Sequence, residues 1–207
     1  MSTPGAWGLS YEDVIGLSWM AYAGQGTRGR WRMASGIWEI TSVFEQGSYR
    51  AVTVKSPSSK KILSFSGTDD IMDWGDNIIQ GLTGFSSQYA LARVHALFVN
   101  PDIVTGHSLG GGLASYAAIN NFTNAATINP APLNLTGLLG SNILPRLVNS
   151  GKVVNYVVRG EALDILDDAA LSMRRVGTIH NVSSGGSSPI DKHLIPNLSA
   201  FRAPTRV

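Results

Sequence analysis

A glycine-rich run at the centre of the chain reads Gly106-His107-Ser108-Leu109-Gly110-Gly111-Gly112. Apolar residues 103–105 precede it, and helix-prone residues 113–118 follow it. A serine flanked by glycines between a strand and a helix is typical of a nucleophile elbow, a turn so tight that neighbouring side chains must be nearly absent. The turn presents the Ser108 hydroxyl, and the following helix directs its positive end toward an oxyanion formed there. The run therefore predicts a serine hydrolase.

Length and composition indicate one globular unit. The chain has 207 residues without a linker-like change in composition, so we expect a single domain over residues 1–207. No charged residue occurs between Ile103 and Pro145. Because Gly, Asn, Thr, Ser and Pro interrupt that stretch, it predicts the buried centre of the fold and not a membrane span.

The same features limit cofactors and location. Cysteine is absent, which excludes disulfides and thiolate metal sites, and we expect no metal or organic cofactor. The first ten residues lack the basic start and apolar core of a secretory signal. We therefore expect neither a signal peptide nor a transmembrane segment, which leaves the location open and makes any export independent of such a signal.

The charge pattern argues against nucleic acid as a partner, since the formal net charge is only +2. Three arginines nevertheless cluster around an aromatic residue: Arg28, Arg30 and Arg32 surround Trp31. Such a cluster fits either a solvated loop or a basic patch that touches anionic lipid headgroups. The sequence leaves both interpretations open.

Hydrophobic periodicity predicts an alternation of helices and strands. We expect a helix from Ser10 to about Tyr22, then a glycine- and arginine-rich loop, a hairpin from strands 38–44 and 49–54, and a strand at 62–65. A helix at 86–99 leads to strand 103–105 and the elbow, and β-branched strands follow at 125–128, 153–158 and 176–182, before a last helix near His193. The spacing of the later strands predicts an α/β fold, with a mostly parallel central sheet and helices on both faces.

A serine nucleophile needs a general base, and the base needs an acid that fixes its tautomer. In elbow enzymes the chain order is Ser, then Asp or Glu, then His. Two histidines follow the elbow, His180 inside a predicted strand and His193 after a Gly/Ser/Pro loop. We assign His193 as the base because a ring on a loop can swing over the sheet, with His180 as the alternative.

The acid should lie just past the end of a strand. Asp164 comes six residues after Val158, the last residue of its predicted strand, and is the assigned acid. Asp167 is the next choice, although Asp167 and Asp168 resemble the first turn of a helix. A further alternative is that all three carboxylates lie on the surface.

The oxyanion formed on the substrate needs two donors. The Leu109 backbone N–H follows the serine directly, and a second donor usually comes from a loop after an earlier strand. Here Ser64-Phe65-Ser66-Gly67-Thr68 leaves a strand through a glycine. We assign the Thr68 backbone N–H, with its hydroxyl in reserve, as that donor; the alternative is an ordinary Ser-Gly-Thr turn.

Together these segments resemble the class 3 lipases. Ser64–Ile78 looks like the oxyanion and lid-entry segment of that family, and Val104–Ala114 is similar to its elbow nearly residue by residue. The family's strand end after the elbow resembles Asn129–Pro132, and its acid-bearing strand exit resembles Val157–Asp164. Its terminal histidine segment resembles Asp191–His193. The resemblance spans roughly residues 50 to 200, with both long motifs in the family's order. Ser66 stands where the family commonly has arginine, which removes a structural ion pair but no catalytic atom.

The resemblance implies an α/β-hydrolase fold and a carboxylic ester hydrolase acting on acyl lipids, of lipase or phospholipase A type. Ser108, His193 and Asp164 would work through an acyl-enzyme, with Thr68 and Leu109 holding the oxyanion. The alternatives are an esterase on soluble or polymeric esters and a catalytically silent lipid-binding module. The compact chain looks like a bacterial member, a group that includes lipase-like antibacterial toxins, for which a cognate inhibitor or a delivery partner is expected.

The resemblance also places a lid after the oxyanion loop. An apolar stripe recurs there at helical spacing, formed by Ile71, Trp74, Ile78 and Leu82. A lid would expose this stripe at a lipid surface and imply peripheral membrane contact, whereas a permanently docked core helix would keep it buried. Periodicity does not separate the two.

Overall fold

The structure is a computed structural model that describes residues 3–67, 86–134, 149–169 and 173–207. Its helices are α1 (Tyr11–Met20), α2 (Ser86–Val99), α3 (Leu109–Asn121), α4 (Ala162–Ala169) and α5 (Pro189–His193). Its strands are β1 (Gly29–Met33), β2 (Gly36–Gln46), β3 (Tyr49–Lys55), β4 (Lys61–Phe65), β5 (Ile103–His107), β6 (Asn124–Ile128), β7 (Leu133–Asn134), β8 (Val153–Val158), β9 (Met173–Arg174), β10 (Thr178–Val182) and β11 (Thr205–Arg206). Short 3₁₀ turns cover Asn149–Lys152 and Ile195–Asn197.

A nine-stranded sheet forms the centre, in the order β10-β8-β6-β5-β4-β3-β2-β1-β11. Neighbours from β10 to β4 are parallel, and neighbours from β4 to β11 are antiparallel. The architecture is therefore mixed α/β, but the expectation of a mostly parallel sheet is wrong. Short connections join β1 to β4, and a crossover to a parallel strand needs a dozen or more residues, so these strands pair antiparallel.

One strand of the antiparallel half was expected to be a loop. The glycine- and arginine-rich segment after α1 forms β1, which pairs with β2 and β11. Trp31 faces the core and its indole N–H donates to the Thr27 carbonyl at 2.9 Å, whereas the arginines on either side of it are exposed. The aromatic member of the arginine cluster is thus a core residue.

Helices cover both faces of the sheet. Successive strand residues such as Ile62 and Leu63 belong to two different buried clusters, as do Ile103 and Val104. Because neighbouring side chains of a strand point to opposite faces, each cluster fills one face. Helix α1 supplies the first cluster, and α2 and α3 supply the second.

Polar contacts hold α1 at both ends. Ser10 and Asp13 form a reciprocal capping box at its start. At its other end, the buried Arg50 of β3 donates to the carbonyls of Met20, Tyr22 at 3.0 Å and Gly26 at 2.6 Å. These hydrogen bonds hold the segment that carries Tyr22, whose hydroxyl contacts His107 at the end of β5.

The parallel half of the sheet brings several strand ends together. Phe65, His107, Ile128 and Val158 end β4, β5, β6 and β8 at the same edge. In open α/β sheets, ligands bind outside the carboxyl ends of the strands. Within the described ranges, no helix is long and apolar enough to span a bilayer.

Candidate active site

Ser108 occupies the sharp turn between β5 and α3. Its backbone has φ 58° and ψ −128°, a conformation that strains a non-glycine residue by roughly 1–3 kcal/mol. Serine is favoured as a helix N-cap, yet the Ser108 side chain makes no capping hydrogen bond. Its Oγ is buried without a hydrogen-bond partner among the described residues. The strained turn therefore holds a hydroxyl that has no structural role there.

The glycines around Ser108 are required by close backbone approach. A Cβ on Gly106 would collide with the Gly110 carbonyl, and one on Gly110 would collide with the Phe65 carbonyl. A Cβ on Gly111 would lie 2.8 Å from Pro130 Cβ. Glycines are therefore needed at these positions because β4, β5 and α3 approach too closely to admit side chains.

His193 is the last residue of α5. A capping box between Ser188 and Asp191, with Pro189 in the first turn, fixes the start of this short helix. The ring is buried, and its Nδ1 lies 2.5 Å from Glu161 Oε2. A carboxylate that accepts from Nδ1–H leaves the lone pair of a neutral imidazole on Nε2. That Nε2 is buried and without a hydrogen-bond partner in the described part of the chain.

The backbone of His193 is held from two sides. His107 Nε2 donates to the His193 carbonyl at 2.8 Å, and the Asn129 amide donates to the same oxygen at 3.1 Å. Tyr22 donates its hydroxyl to His107 Nδ1 at 2.6 Å. Burial, and secondly the neighbouring His193, hold the pKa of His107 well below its ordinary value. His107, the residue before Ser108, is therefore neutral and connects the elbow to His193, whose ring lies 4.6 Å from its own.

The carboxylate that contacts His193 is Glu161 and not Asp164, the acid assigned from the sequence. Glu161 Oε2 accepts from His193 Nδ1 and from the Leu163 N–H at 2.8 Å. Asp164, one helical turn later, accepts from the Gly160 N–H at 2.9 Å and from Arg175 at 3.1 Å. The structure therefore brings Glu161 to His193 and turns Asp164 away, because Glu161 precedes α4 whereas the Asp164 carboxylate folds back onto the turn at Gly160.

The sequence contained a signal for Glu161 that was not used. The rule of an acid just past a strand end admits glutamate, and Glu161 is three residues after Val158, closer than Asp164. Arg175 was also missed, because an arginine far along the chain carries no motif. It is buried and bonds to both carboxylates and to the Pro130 carbonyl.

The remaining predicted site residues have mixed outcomes. Leu109 is the first residue of α3, where a backbone N–H has no intrahelical acceptor. His180 lies in β10, and its ring packs 5.8 Å from that of Tyr156. Asp167 lies within α4. The predicted donor and lid lie outside the described residues, namely Thr68, Ile71, Trp74, Ile78 and Leu82.

The described ranges also contain no group of three His, Cys, Asp or Glu side chains placed to hold a metal ion. The cluster around His193 instead pairs its carboxylates with an imidazole and a guanidinium. An imidazole paired with a carboxylate is suited to proton transfer to and from a hydroxyl, and Ser108 Oγ is a buried hydroxyl without a hydrogen-bond partner in the described ranges.

Comparison with known proteins identifies the family of the chain. The phospholipase-like family described as the Tle-like phospholipase domain matches residues 27–203. An extracellular phospholipase A1 of Serratia liquefaciens is 35% identical over 135 residues, which is 59% of this chain and 40% of that protein. The match thus spans less than half of that relative. Since the family match covers most of the chain, the protein belongs to the phospholipase-like family of the Tle-like phospholipase domain.

Proposed function

We propose that the chain is a serine esterase that hydrolyses the carboxylic esters of phospholipids, with Ser108 as nucleophile, His193 as base and Glu161 as the orienting acid. The observation that carries the proposal is that the Ser108 Oγ and the His193 Nε2 are both buried without a hydrogen-bond partner among the described residues, and that His107, next to Ser108, donates to the His193 carbonyl. A buried polar atom without a partner destabilises a fold by about 1–3 kcal/mol, so native sites retain such atoms where chemistry needs them.

The reaction follows from these roles. Ser108 Oγ attacks the ester carbonyl carbon while its proton moves to His193 Nε2, and Glu161 stabilises the imidazolium at Nδ1. The Leu109 N–H, with Thr68 as the proposed second donor, stabilises the tetrahedral oxyanion. The imidazolium then protonates the leaving alcohol, which departs and leaves an acyl-serine. A water molecule, deprotonated by His193, then attacks the acyl carbon. The bond to Ser108 Oγ breaks, the imidazolium returns its proton to that oxygen, and the fatty acid leaves.

The fold supports the same proposal. A tight turn between a parallel strand and a helix, at the carboxyl edge of a sheet covered on both faces, fits an α/β-hydrolase fold. The phospholipase A1 relative supports an acyl lipid as substrate. We infer phospholipid as the first substrate to test, with triacylglycerol and soluble esters as comparisons.

The decisive experiment is replacement of the nucleophile. A fluorophosphonate probe should label Ser108 stoichiometrically, and Ser108→Ala should lose on the order of 10⁴ to 10⁶ in turnover while remaining folded. Ser115 is a matched control because it is also buried in α3 but donates to the Gly111 carbonyl at 2.9 Å. Ser115→Ala should keep both labelling and turnover. Full activity in Ser108→Ala would remove the serine-esterase proposal.

A substrate panel separates this proposal from its alternatives. Phosphatidylcholine vesicles, a triglyceride emulsion and a soluble short-chain ester are supplied separately, and the products are identified by mass spectrometry. Release of fatty acid and lysophospholipid supports the phospholipase assignment. Turnover of the soluble ester alone supports the esterase, and lipid binding without turnover supports the silent module.

A further inference from the structure

We propose that Arg175 is a positioning residue for catalysis, which holds Glu161 against His193 and, together with Asp164, sets how tightly His193 binds its proton. The inference rests on the proposed function, since it concerns the same base. It assigns roles to two buried side chains outside the proposed set of Ser108, His193 and Glu161, namely Arg175 and Asp164.

The contacts of Arg175 explain the orientation of Glu161. Its side chain is 1% exposed, and Nη2 donates to Glu161 Oε1 at 2.5 Å. With one carboxylate oxygen held in this way, the other oxygen, Oε2, faces His193 Nδ1. Arginine suits this task because its donors form a rigid planar fork, which lysine lacks.

The same guanidinium joins the acid to the elbow. Arg175 Nε donates to the Pro130 carbonyl at 2.9 Å. The neighbouring Ala131 N–H donates to the Ser108 carbonyl at 2.9 Å. Asn129, on the other side of Pro130, donates to the His193 carbonyl. One short segment after β6 thus fixes nucleophile and base, and Arg175 fixes the acid to that segment.

The charges of the cluster point to a second role. Arg175 contributes one positive charge, and Glu161 and Asp164 contribute one negative charge each. With His193 neutral, these buried groups carry a net charge of about −1; with His193 protonated, they balance to about zero. His193 is protonated while the tetrahedral intermediate exists. The cluster is therefore close to neutral at that stage, which stabilises the imidazolium.

Among the residues that the structure describes, the other charged groups near His193 leave this balance unchanged. The neighbouring His107 stays neutral, since burial lowers its pKa. Arg159 lies 3.7 Å from Asp164 Oδ1, but its side chain is 63% exposed, so solvent screens its charge. Lys192 and Asp191 are partly exposed residues of α5, and the Asp191 carboxylate bonds with Ser187 and Ser188.

Opposite charge changes should therefore move the pH profile in opposite directions. Arg175→Met removes a positive charge, so His193 holds its proton more tightly and the acidic limb of kcat/KM moves to higher pH. Asp164→Asn removes a negative charge, so the same limb moves to lower pH. Each shift should be on the order of one pH unit, the size that neighbouring charges typically produce in proteins.

The experiment measures kcat/KM for a soluble short-chain ester, and the rate of fluorophosphonate labelling of Ser108, from pH 5 to 9 for the wild type and each variant. Arg175→Lys keeps the charge but loses the fork, so it should lower kcat with little movement of the limb. Circular dichroism checks that each variant is folded. If Arg175→Met does not fold, the inference is still tested by two results: the shifted limb of Asp164→Asn and the unshifted limb of Arg175→Lys.

Two results would overturn the inference: limbs that stay in place in both charge-changing variants, or limbs that move in the same direction. Either result, with Ser108 still labelled in the wild type, rejects the role of Arg175 and leaves the serine-esterase proposal standing. A wild type whose Ser108 is not labelled at any pH rejects both.

Discussion

Glu161→Gln should abolish most of the turnover although the side chain keeps its shape. Arg175 donates to one terminal atom of residue 161 and His193 Nδ1 faces the other. Glutamine offers a single oxygen. The Leu163 N–H competes for it on the His193 side, but the charged guanidinium makes the stronger hydrogen bond, so the oxygen favours the side of Arg175. The amide NH₂ then faces His193, so Nδ1 must accept and the ring proton moves to Nε2.

The magnitude follows from the tautomer. A histidine that carries its proton on Nε2 cannot accept the proton of Ser108, and loss of the tautomer-fixing acid lowers turnover by roughly 10⁴. At about 1.36 kcal/mol per factor of ten, the activation free energy rises by about 5.4 kcal/mol. Asp164→Asn leaves the contact between Glu161 and His193 intact, so it should reduce turnover by less than about tenfold at pH values above the acidic limb.

The assay is the initial rate on a soluble short-chain ester at saturating concentration, which avoids effects of lipid surfaces. Both variants are checked by circular dichroism and thermal unfolding, because each loses one charge paired with the buried Arg175. Glu161→Asp, with one methylene less, should fall between wild type and Glu161→Gln. A folded Asp164→Asn that loses as much turnover as Glu161→Gln would show that the reasoning from the resting contacts is wrong.

Two further predictions concern the base and the elbow. His193→Ala should abolish hydrolysis, whereas His180→Ala, in a strand away from the paired carboxylate, should keep it within about tenfold in the same assay. Gly110→Ala should lower the melting temperature by several degrees and slow fluorophosphonate labelling, because its Cβ collides with the Phe65 carbonyl and overpacking destabilises by about 1–3 kcal/mol. Gly151→Ala, where the new Cβ meets no atom within 4 Å, is the control and should change neither.

Local features of the fold were accessible from the sequence. The elbow is specified by residues close together in the chain, because a Cβ on Gly106 would collide with the Gly110 carbonyl. The start of α1 is equally local, since Ser10 and Asp13 cap it without help from elsewhere. Hairpin β2–β3 also follows from its alternation and its turn. In each case the physical cause lies within a few residues.

Features that depend on distant partners were not accessible. Residues 29–33 contain alternate arginines, and their pairing with β2 and β11 makes them a strand that the local composition does not indicate. The choice between Glu161 and Asp164 depends on Arg175, which lies more than ten residues further along the chain. Spacing alone placed both carboxylates near a strand end, but only the side-chain contacts show which one faces His193.

The environment of His193 differs from the one on which its assignment from the sequence was based. The sequence argument selected it as a ring on a loop that swings over the sheet, yet the ring is buried and its carbonyl accepts from His107 and Asn129. Its position is therefore set by the residue next to Ser108 and by the segment after β6. Because the same backbone elements fix the proposed nucleophile and the proposed base, reorganisation before proton transfer should be small, which is the condition under which buried polar groups contribute most to catalysis.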